Sequence, residues 1–443
     1  MSSRKPQIKI LLVRPDYSSR FSQWVGLQTE PLELEILAAV STAEGCDYLI
    51  HDPVVTGKNI AATLKSYQPE VVAITGYYPA RDRMLELAHE AKTYNKNTLV
   101  FMGGVHAELN DEDFQDEAVD LIIRSGGALT FAAILQAAKA ETSLADIPGT
   151  ICRASDGGWT RADDRPFNIS ELPLPDRSHF HDHKERFSYL HYGPTALIKT
   201  AYGCPFKCTF CYCRMLNNGR YVQRDLKQVV GEIKQIDCDT IWIVDDTFLF
   251  DVDQLRAFAE ALKREGVKKR FIVYGRSEFI ASHPESIPVL KEIGIVNVII
   301  GFESIKDENL KAFNKENTSE QGRETIQRLK ENGIQCTGLF IIDTSARHSD
   351  FSALEKWIAE SGLDLYTLSI FSPYPGTEQY PAYRDQLTTT DCRKWDFSHL
   401  VMKPTHMSRP VFYFRVLWLH VKMALKNPAL RRHLLLKLFR RGS

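Results

Sequence analysis

Three cysteines, Cys204, Cys208 and Cys211, stand at x3 and x2 spacing within one short stretch of the chain. Thiolates this close together can reach three corners of one small iron–sulfur cluster. Ordinary ferredoxin clusters use four thiolates. Cys213 follows too closely to point the same way, and Cys238, Cys336 and Cys392 stand alone in unrelated contexts. The spacing therefore predicts a cluster with three protein ligands and one open iron.

Two other uses of cysteine fit this pattern less well. A structural zinc site favours Cys-x2-Cys pairs or histidines at a matching distance, and a disulfide framework favours a small secreted domain. This chain has 443 residues, nine cysteines and no apolar run of spanning length. Its N-terminus does not have the pattern of a secretory signal. We therefore expect a cytoplasmic protein in a reducing compartment.

The stretch Cys204-x3-Cys208-x-Phe210-Cys211, followed by Tyr212, resembles the motif of radical S-adenosylmethionine (SAM) enzymes. In that family three cysteines hold a [4Fe-4S] cluster, and the open iron binds the amino and carboxylate groups of SAM. An electron from the cluster then splits SAM to a 5′-deoxyadenosyl radical. The resemblance implies that these cysteines are the metal ligands and that Phe210 and Tyr212 wall the cluster and the adenine. It also implies an external electron donor of the flavodoxin or ferredoxin type.

Strand and helix patterns alternate through the region that surrounds this motif. Six repeats between residues 191 and 385 predict an α/β fold, a partial (β/α)6 barrel, whose functional groups should lie at the carboxyl ends of the strands. The predicted strands are Leu197–Thr200, Thr240–Val244, Phe271–Tyr274, Val296–Ile300, Thr337–Ile342 and Leu365–Ile370.

The strand ends carry the polar groups that a SAM site needs. Arg276 is the best partner for the SAM carboxylate because a guanidinium matches it in a fork, although a pair with Glu278 or Asp246 is an alternative. Glu303 suits the ribose hydroxyls or the amino group, and it lies in the motif Gly301-Phe-Glu303-Ser304. Gly301 and Ser304 are predicted cofactor-binding residues with it.

The adjacent pair Asp245-Asp246 supplies the candidate catalytic carboxylates. Neighbouring residues at a strand end point in opposite directions. One is expected to face the pocket and the other to cap the next helix. Only one of the two should therefore be functional.

Residues 1–140 show another strand–helix alternation, which predicts a doubly wound, Rossmann-like parallel sheet. Neither G-x-G-x-x-G nor G-x4-G-K-[ST] occurs, which disfavours dinucleotides and nucleoside triphosphates. Gly103-Gly-Val-His106 resembles the G-G-x-H motif of the cobalamin-binding domain upstream of many radical SAM enzymes. The lower-ligand motif D-x-H-x-x-G is absent, so we expect His106 to wall or cap the pocket and not to bind cobalt. The predicted cobalamin-binding residues are Asp16, Gly76, Gly103, Gly104, His106, Gly126 and Gly127.

The remaining segments are predicted to be a linker over 141–190 and a basic helical region over 386–443. After Asp396 the chain has ten Lys and Arg residues and no acidic residue. Phe412, Val416, Leu419 and Met423 form one apolar stripe, which could dock on the barrel or lie in an anionic membrane surface. No recognised nucleic-acid-binding module accompanies the charge.

The resemblance, which covers about residues 8 to 380, implies a cobalamin-dependent methyltransferase. It would act on an unactivated carbon or phosphorus through a 5′-deoxyadenosyl radical and methylcobalamin. The substrate would be a small or lipid-like molecule. Two alternatives stay open: ring formation or rearrangement without methylation, and a cluster-containing binding or sensor protein.

Overall fold

The computed structural model describes residues 7–17, 27–428 and 431. These residues divide into two units. Unit 1 contains residues 7–17, Glu30–His183 and Met215–Gln223, and unit 2 contains residues 27–29, Lys184–Arg214 and the described residues from Arg224 onward. The chain thus leaves unit 2 directly after the cysteine motif and returns nine residues later.

Unit 1 is built on a seven-stranded sheet with the order β2-β1-β3-β4-β5-β6-β7. Strands β1 to β5 are parallel, as predicted, and β6 and β7 are antiparallel additions at one edge. The strands are β1 (Lys9–Val13), β2 (Asp47–His51), β3 (Val71–Thr75), β4 (Leu99–Gly103), β5 (Leu121–Ile123), β6 (Thr150–Arg153) and β7 (Trp159–Arg161). The first five follow the doubly wound order 2-1-3-4-5, whose ligand crevice opens between β1 and β3.

Helices cover this sheet, so its central strands are long apolar runs instead of alternating patterns. Ile10, Leu11, Leu12 and Val13 have no exposed surface at all. The helices are α1 (Leu32–Ala43), α2 (Pro53–Thr56), α3 (Ile60–Tyr67), α4 (Arg81–Tyr94), α5 (Val105–Leu109), α6 (Gly127–Ala140) and α7 (Ser178–His183). The alternation of strands and helices predicted for residues 1–140 is therefore present.

The predicted linker is wrong for most of its length. Residues 141–183 belong to unit 1 and include β6, which pairs with β5, and β7, which pairs with β6. Both strands are short, and Pro148 and Pro166 lie outside them. The prolines of this segment therefore lie in the turns between edge elements. Proline has no backbone N–H to donate, and in a turn no hydrogen bond of the sheet is lost.

Unit 2 contains six parallel strands in chain order, which confirms the partial (β/α)6 barrel. The strands are β8 (Thr195–Ile198), β9 (Thr240–Ile243), β10 (Arg270–Gly275), β11 (Ile295–Glu303), β12 (Gln335–Ile342) and β13 (Leu365–Ile370). The helices are α8 (Leu226–Gln235), α9 (Val252–Arg264), α10 (Ser277–Ser282), α11 (Ser286–Ile293), α12 (Asp307–Ala312), α13 (Ser319–Glu331), α14 (His348–Ser361), α15 (Tyr380–Tyr383) and α16 (Arg409–Lys426).

The C-terminal helix α16 docks on β13 and α14. Phe412, Val416, Leu419 and Met423 are all buried, and the ring of Phe412 meets that of Phe351 at 5.6 Å. The predicted stripe is therefore core and does not face a membrane.

Residues 397–408 are not helical, so the C-terminal helix begins later than predicted. Further apolar residues of the basic region, Leu434, Leu435 and Leu438, lie outside the described residues. Among the described helices, none combines the length and hydropathy needed to cross a bilayer.

His420 makes this docking sensitive to acid. Its Nδ1 lies 3.0 Å from the Val416 carbonyl and its Nε2 lies 3.3 Å from the Leu368 amide. Nε2 must accept from that amide, so the ring is held neutral. Burial lowers the pKa of His420 to about 4. The unfolded chain takes up the proton first as the pH falls, so the stability present above about pH 6.5 is lost towards pH 4.

We expect wild-type protein to lose about 2 kcal/mol more free energy of unfolding between pH 7 and pH 5 than His420→Gln does. Urea titrations at the two pH values measure this difference. The glutamine variant keeps a polar side chain of similar size but cannot become charged. Equal losses in the two proteins would contradict the assignment.

Candidate active site

The predicted cluster cysteines lie on the loop that follows β8 and precedes α8. Cys208 is buried, and its sulfur lies 3.6 Å from Nη1 of Arg276. Burial raises the pKa of Cys208 above its ordinary value. The positive charges of Lys315 and Arg276 lower it and offset only part of that effect. The Cys213 thiol donates a hydrogen bond to Cys211 and holds the pKa of Cys211 below its ordinary value. Cys213 thus supports a predicted ligand.

Arg276 follows the last residue of β10, at the carboxyl end predicted for it. Its Nε bonds to the Glu278 carboxylate, and its guanidinium lies 3.8 Å from the centre of the Phe206 ring. The side chain therefore fixes the cysteine loop through Phe206 and Cys208. The alternative pair with Glu278 is present, so a SAM carboxylate at this place would share the guanidinium with it.

The two adjacent aspartates have different surroundings. Asp245 is buried and accepts hydrogen bonds from the backbone N–H of Thr200 at 2.7 Å and of Ala201 at 3.1 Å, and from the Thr200 hydroxyl. It anchors the end of β8 to the end of β9 and does not cap α9, whose N-cap is Asp251. This part of the prediction is wrong.

Asp246 points towards the cysteines. Its negative charge contributes, after burial, to raising the pKa of Cys204 to about 12. One of its oxygens, Oδ2, is buried and has no hydrogen-bond partner among the described residues. A buried acceptor without a donor is costly unless a ligand or water supplies one. Asp246 is thus the aspartate of the pair that is available to a ligand.

Glu303 ends β11 and is held in the left-handed region, with φ of 60°. Its Oε1 accepts a hydrogen bond from Lys315 Nζ at 2.9 Å, and the same ammonium group bonds to the Gly301 carbonyl. A Cβ at position 301 would lie 2.1 Å from Glu303 Oε1 and 2.9 Å from Lys315 Nζ, so a larger residue there would displace this ion pair. The Ser304 hydroxyl accepts a hydrogen bond from the Lys306 amide at 3.1 Å, in the turn that follows β11.

The predicted aromatic residues form two walls around the loop. The Phe210 ring meets Phe313 edge-on at 5.1 Å. The Tyr212 ring lies 5.8 Å from Tyr374, which stacks in turn on Phe397 at 5.3 Å. These contacts place apolar rings on both sides of the cysteine motif.

This arrangement fits an iron–sulfur cluster. The loop offers three thiols as ligands, and N–H and S–H donors already aim at two of them. Such donors stabilise thiolate charge on a cluster. The buried Oδ2 of Asp246 lies beside them, where an amino or hydroxyl group of a bound ligand could donate a hydrogen bond to it.

The carboxyl edge of the unit 1 sheet brings the predicted glycines of β3 and β4 together. Gly104 has φ of 94°, and a Cβ there would lie 2.4 Å from Thr75 Oγ1 and 2.9 Å from the Gly76 backbone. A Cβ at position 76 would in turn lie 2.9 Å from Met84 Sδ. The two strand ends therefore approach closely at the crevice where this fold binds ligands.

We expect Gly104→Ala to lower the free energy of unfolding by more than about 2 kcal/mol, because it adds backbone strain to a clash. The adjacent Gly103→Ala is the matched control, since its Cβ would meet nothing closer than Ile123 at 3.8 Å. Thermal unfolding compares the two, and the visible absorption of added cobalamin reports binding. Equal stability of the two variants would refute the crowding argument.

The other predicted cobalamin-binding residues have mixed positions. Asp16 is half-exposed and pairs with Arg83. His106 is buried, lies 2.7 Å from the Asp113 carboxylate and packs on Tyr78, with ring centres 4.7 Å apart. His106 therefore makes these contacts within the fold, and its expected role at the cobalamin pocket stays a prediction. Gly126 and Gly127 both have positive φ, at the start of α6.

Sequence reasoning missed two residues of this site. Phe206 supports Arg276, and Lys315 neutralises Glu303 from a loop twelve residues further along the chain. An aromatic residue inside the cysteine motif was a signal for the first. Nothing local distinguishes Lys315 from the other lysines of its region.

Comparisons with known proteins agree with this architecture. The family model for the B12 binding domain matches residues 24–135, and that for the radical SAM superfamily matches residues 198–349. Together they confirm the prediction of a cobalamin-binding domain upstream of a radical SAM domain.

Two curated relatives match nearly the whole chain. Hopanoid C-3 methylase of Methylococcus capsulatus is 26% identical over 92% of this chain and 78% of its own length. Anaerobic magnesium-protoporphyrin IX monomethyl ester cyclase of Rubrivivax gelatinosus is 25% identical over 93% of this chain and 76% of its own length.

A solved structure has the same fold. The radical SAM methyltransferase TsrM of Kitasatospora setae, determined with cobalamin and a [4Fe-4S] cluster bound, superposes with a TM-score of 0.69 at 16% identity. The superposition covers 87% of this chain and 76% of that one. With both domains matched in order and the cysteine motif at its expected place, the chain belongs to the radical SAM enzymes that carry an N-terminal B12-binding domain.

Proposed function

We propose that this enzyme is a cobalamin-dependent methyltransferase that acts on an unactivated carbon or phosphorus centre. The observation that carries the proposal is the pairing, in one chain, of a B12-binding domain with a barrel whose cysteine loop is built for a cluster. The relation to hopanoid C-3 methylase over 92% of the chain supports methylation as the outcome.

In this proposal Cys204, Cys208 and Cys211 would hold the cluster, and SAM would bind beside it. When bound, the cluster and SAM supply a radical that removes hydrogen, and cobalamin supplies the methyl group. Arg276 positions the loop and can meet the SAM carboxylate. Asp246 offers its buried oxygen to a SAM donor group, and Lys315 holds the Glu303 carboxylate in place through their ion pair.

The substrate class follows from the rim of unit 2. A cavity of about 590 Å³ lies at the carboxyl ends of β11 and β12. Phe340, Phe351 and Leu354 give it apolar walls, and Arg347 and His406 add basic groups. Glu303, Asp343 and Asp350 line the cavity as well. Such a mixed lining suits a small molecule that has an apolar part and carries several polar groups.

The reaction is tested by measuring 5′-deoxyadenosine and S-adenosylhomocysteine in one anaerobic assay with extract-derived candidate substrates. Radical methylation forms both products, because one SAM gives the radical and another gives the methyl group. If 5′-deoxyadenosine accumulates and no S-adenosylhomocysteine forms, the enzyme is not a methyltransferase.

Ring formation without methylation is the second candidate. It is favoured by the relation to the magnesium-protoporphyrin monomethyl ester cyclase, which is nearly as similar as the methylase. This reaction forms 5′-deoxyadenosine without S-adenosylhomocysteine. A binding or sensor protein would form neither product.

We further propose a cytoplasmic location and an external electron donor of the flavodoxin or ferredoxin type. The three-ligand cluster must be kept reduced between turnovers, which a reducing compartment allows. Reduced flavodoxin should therefore replace a chemical reductant in the same assay. Turnover that responds to the chemical reductant alone would argue against a donor of this type.

A further inference from the structure

The side of α16 that faces away from the barrel is unusually apolar. Ten large hydrophobic side chains are exposed among the described residues, and five of them lie on this one helix. They are Val411 at 37% exposure, Phe414 at 60%, Leu417 at 57%, Trp418 at 41% and Leu425 at 61%. We refer to these five residues as the outer face. An exposed apolar cluster of this size marks an interaction surface.

The outer face lies opposite the docked stripe on the helix. At 100° per residue, Phe414, Trp418 and Leu425 point away from Phe412, Val416 and Leu419. Contacts of the buried stripe with β13 and α14 fix this orientation, including a 3.1 Å contact from the Tyr366 amide to Met423. The barrel therefore cannot cover the outer face without undocking the helix.

Cations flank one side of the outer face. Lys422 lies with Nζ 5.2 Å from the Trp418 ring centre, and it pairs with Glu355 on α14. Lys426 and Arg431 follow and are exposed. After Asp396 the sequence has ten Lys and Arg residues and no acidic residue. The apolar face is thus set in a segment of one charge sign.

We propose that the outer face binds the surface of an anionic lipid bilayer, with α16 lying parallel to the membrane plane. Phe414, Leu417 and Trp418 would enter the boundary between headgroups and acyl chains, where aromatic side chains are favoured. The basic residues would contact acidic headgroups, which lysine stems can reach from the flank of the helix.

The positive charge of this segment favours an anionic bilayer over a second copy of the chain as the partner of the outer face. A symmetric dimer through the outer face would place two cationic segments against each other, because such an interface pairs the same surface on both copies. No acid of the segment is available to offset this repulsion. An anionic bilayer offers apolar and negatively charged groups together.

The test is co-sedimentation of the full-length protein with vesicles of phosphatidylcholine alone or with about one third phosphatidylglycerol. We expect binding to the anionic vesicles only, with at least tenfold weaker binding at about 0.5 M salt. The triple variant Phe414→Ser, Leu417→Ser, Trp418→Ser should lose it. Tyr94→Ser, which removes an aromatic side chain that is 37% exposed on α4, is the matched control and should bind as wild type.

Brominated lipids give a second measurement. They should quench part of the tryptophan fluorescence in wild type and less in Trp418→Phe. The proposal is overturned by binding to neither vesicle, by equal binding to both, or by binding that the triple variant keeps. It is also overturned if wild type is a dimer in sedimentation velocity and the triple variant is a monomer. None of these measurements requires turnover, so their outcome is independent of the proposed reaction.

Discussion

Replacing Cys204, Cys208 or Cys211 by alanine is expected to abolish the visible absorption of the reconstituted cluster and all cleavage of SAM. Each variant would remove one of the three proposed protein ligands, and a cluster with two thiolates on one loop is not expected to be retained. The protein should stay folded, because the cysteines lie on a loop beyond the barrel strands. Absorption spectra and 5′-deoxyadenosine measurements after anaerobic reconstitution test this.

Cys213→Ala is the matched control for these variants. Its thiol donates to Cys211 and is not predicted to be a ligand. We expect this variant to keep the cluster absorption while the reduction potential shifts, since hydrogen bonds to cluster sulfurs tune that potential. Complete loss of the cluster in Cys213→Ala would assign it a ligand role and overturn the three-cysteine set.

The second large effect separates the two adjacent aspartates. Asp245→Ala leaves the Thr200 and Ala201 amides and the Thr200 hydroxyl without their acceptor. Buried donors that lose a charged partner cost about 3–5 kcal/mol in total. Asp246→Asn keeps the size of the side chain and changes stability by less than about 1 kcal/mol. It should nevertheless lower turnover about 100-fold, because it removes the negative charge from the site.

Urea unfolding and SAM-cleavage rates, measured on both variants, separate a structural role from a functional one. Circular dichroism and cluster content of Asp246→Asn show whether its site stays intact. A stable and active Asp245→Ala, or an Asp246→Asn enzyme with wild-type turnover, would reverse the assignment.

The sequence alone determined the elements whose signal is local. Apolar runs bounded by turns gave the barrel strands within a few residues, as for Thr240–Val244 against the observed Thr240–Ile243. Cysteine spacing is equally local, because the ligands lie within eight residues of each other. Both signals depend on neighbours along the chain, so no tertiary contact was needed to find them.

Other features depend on which distant residues meet, and only the tertiary structure decided them. The Thr200 amide donates a hydrogen bond to Asp245 and so links the ends of two strands. This contact gives Asp245, and not the adjacent Asp246, a structural role. Lys315 reaches Glu303 and the Gly301 carbonyl from another loop. For α16, periodicity found an apolar stripe, but the contacts with β13 and α14 decided that this stripe is core. Burying it left Phe414, Leu417 and Trp418 on the outside, because a helix that docks one side must expose the other.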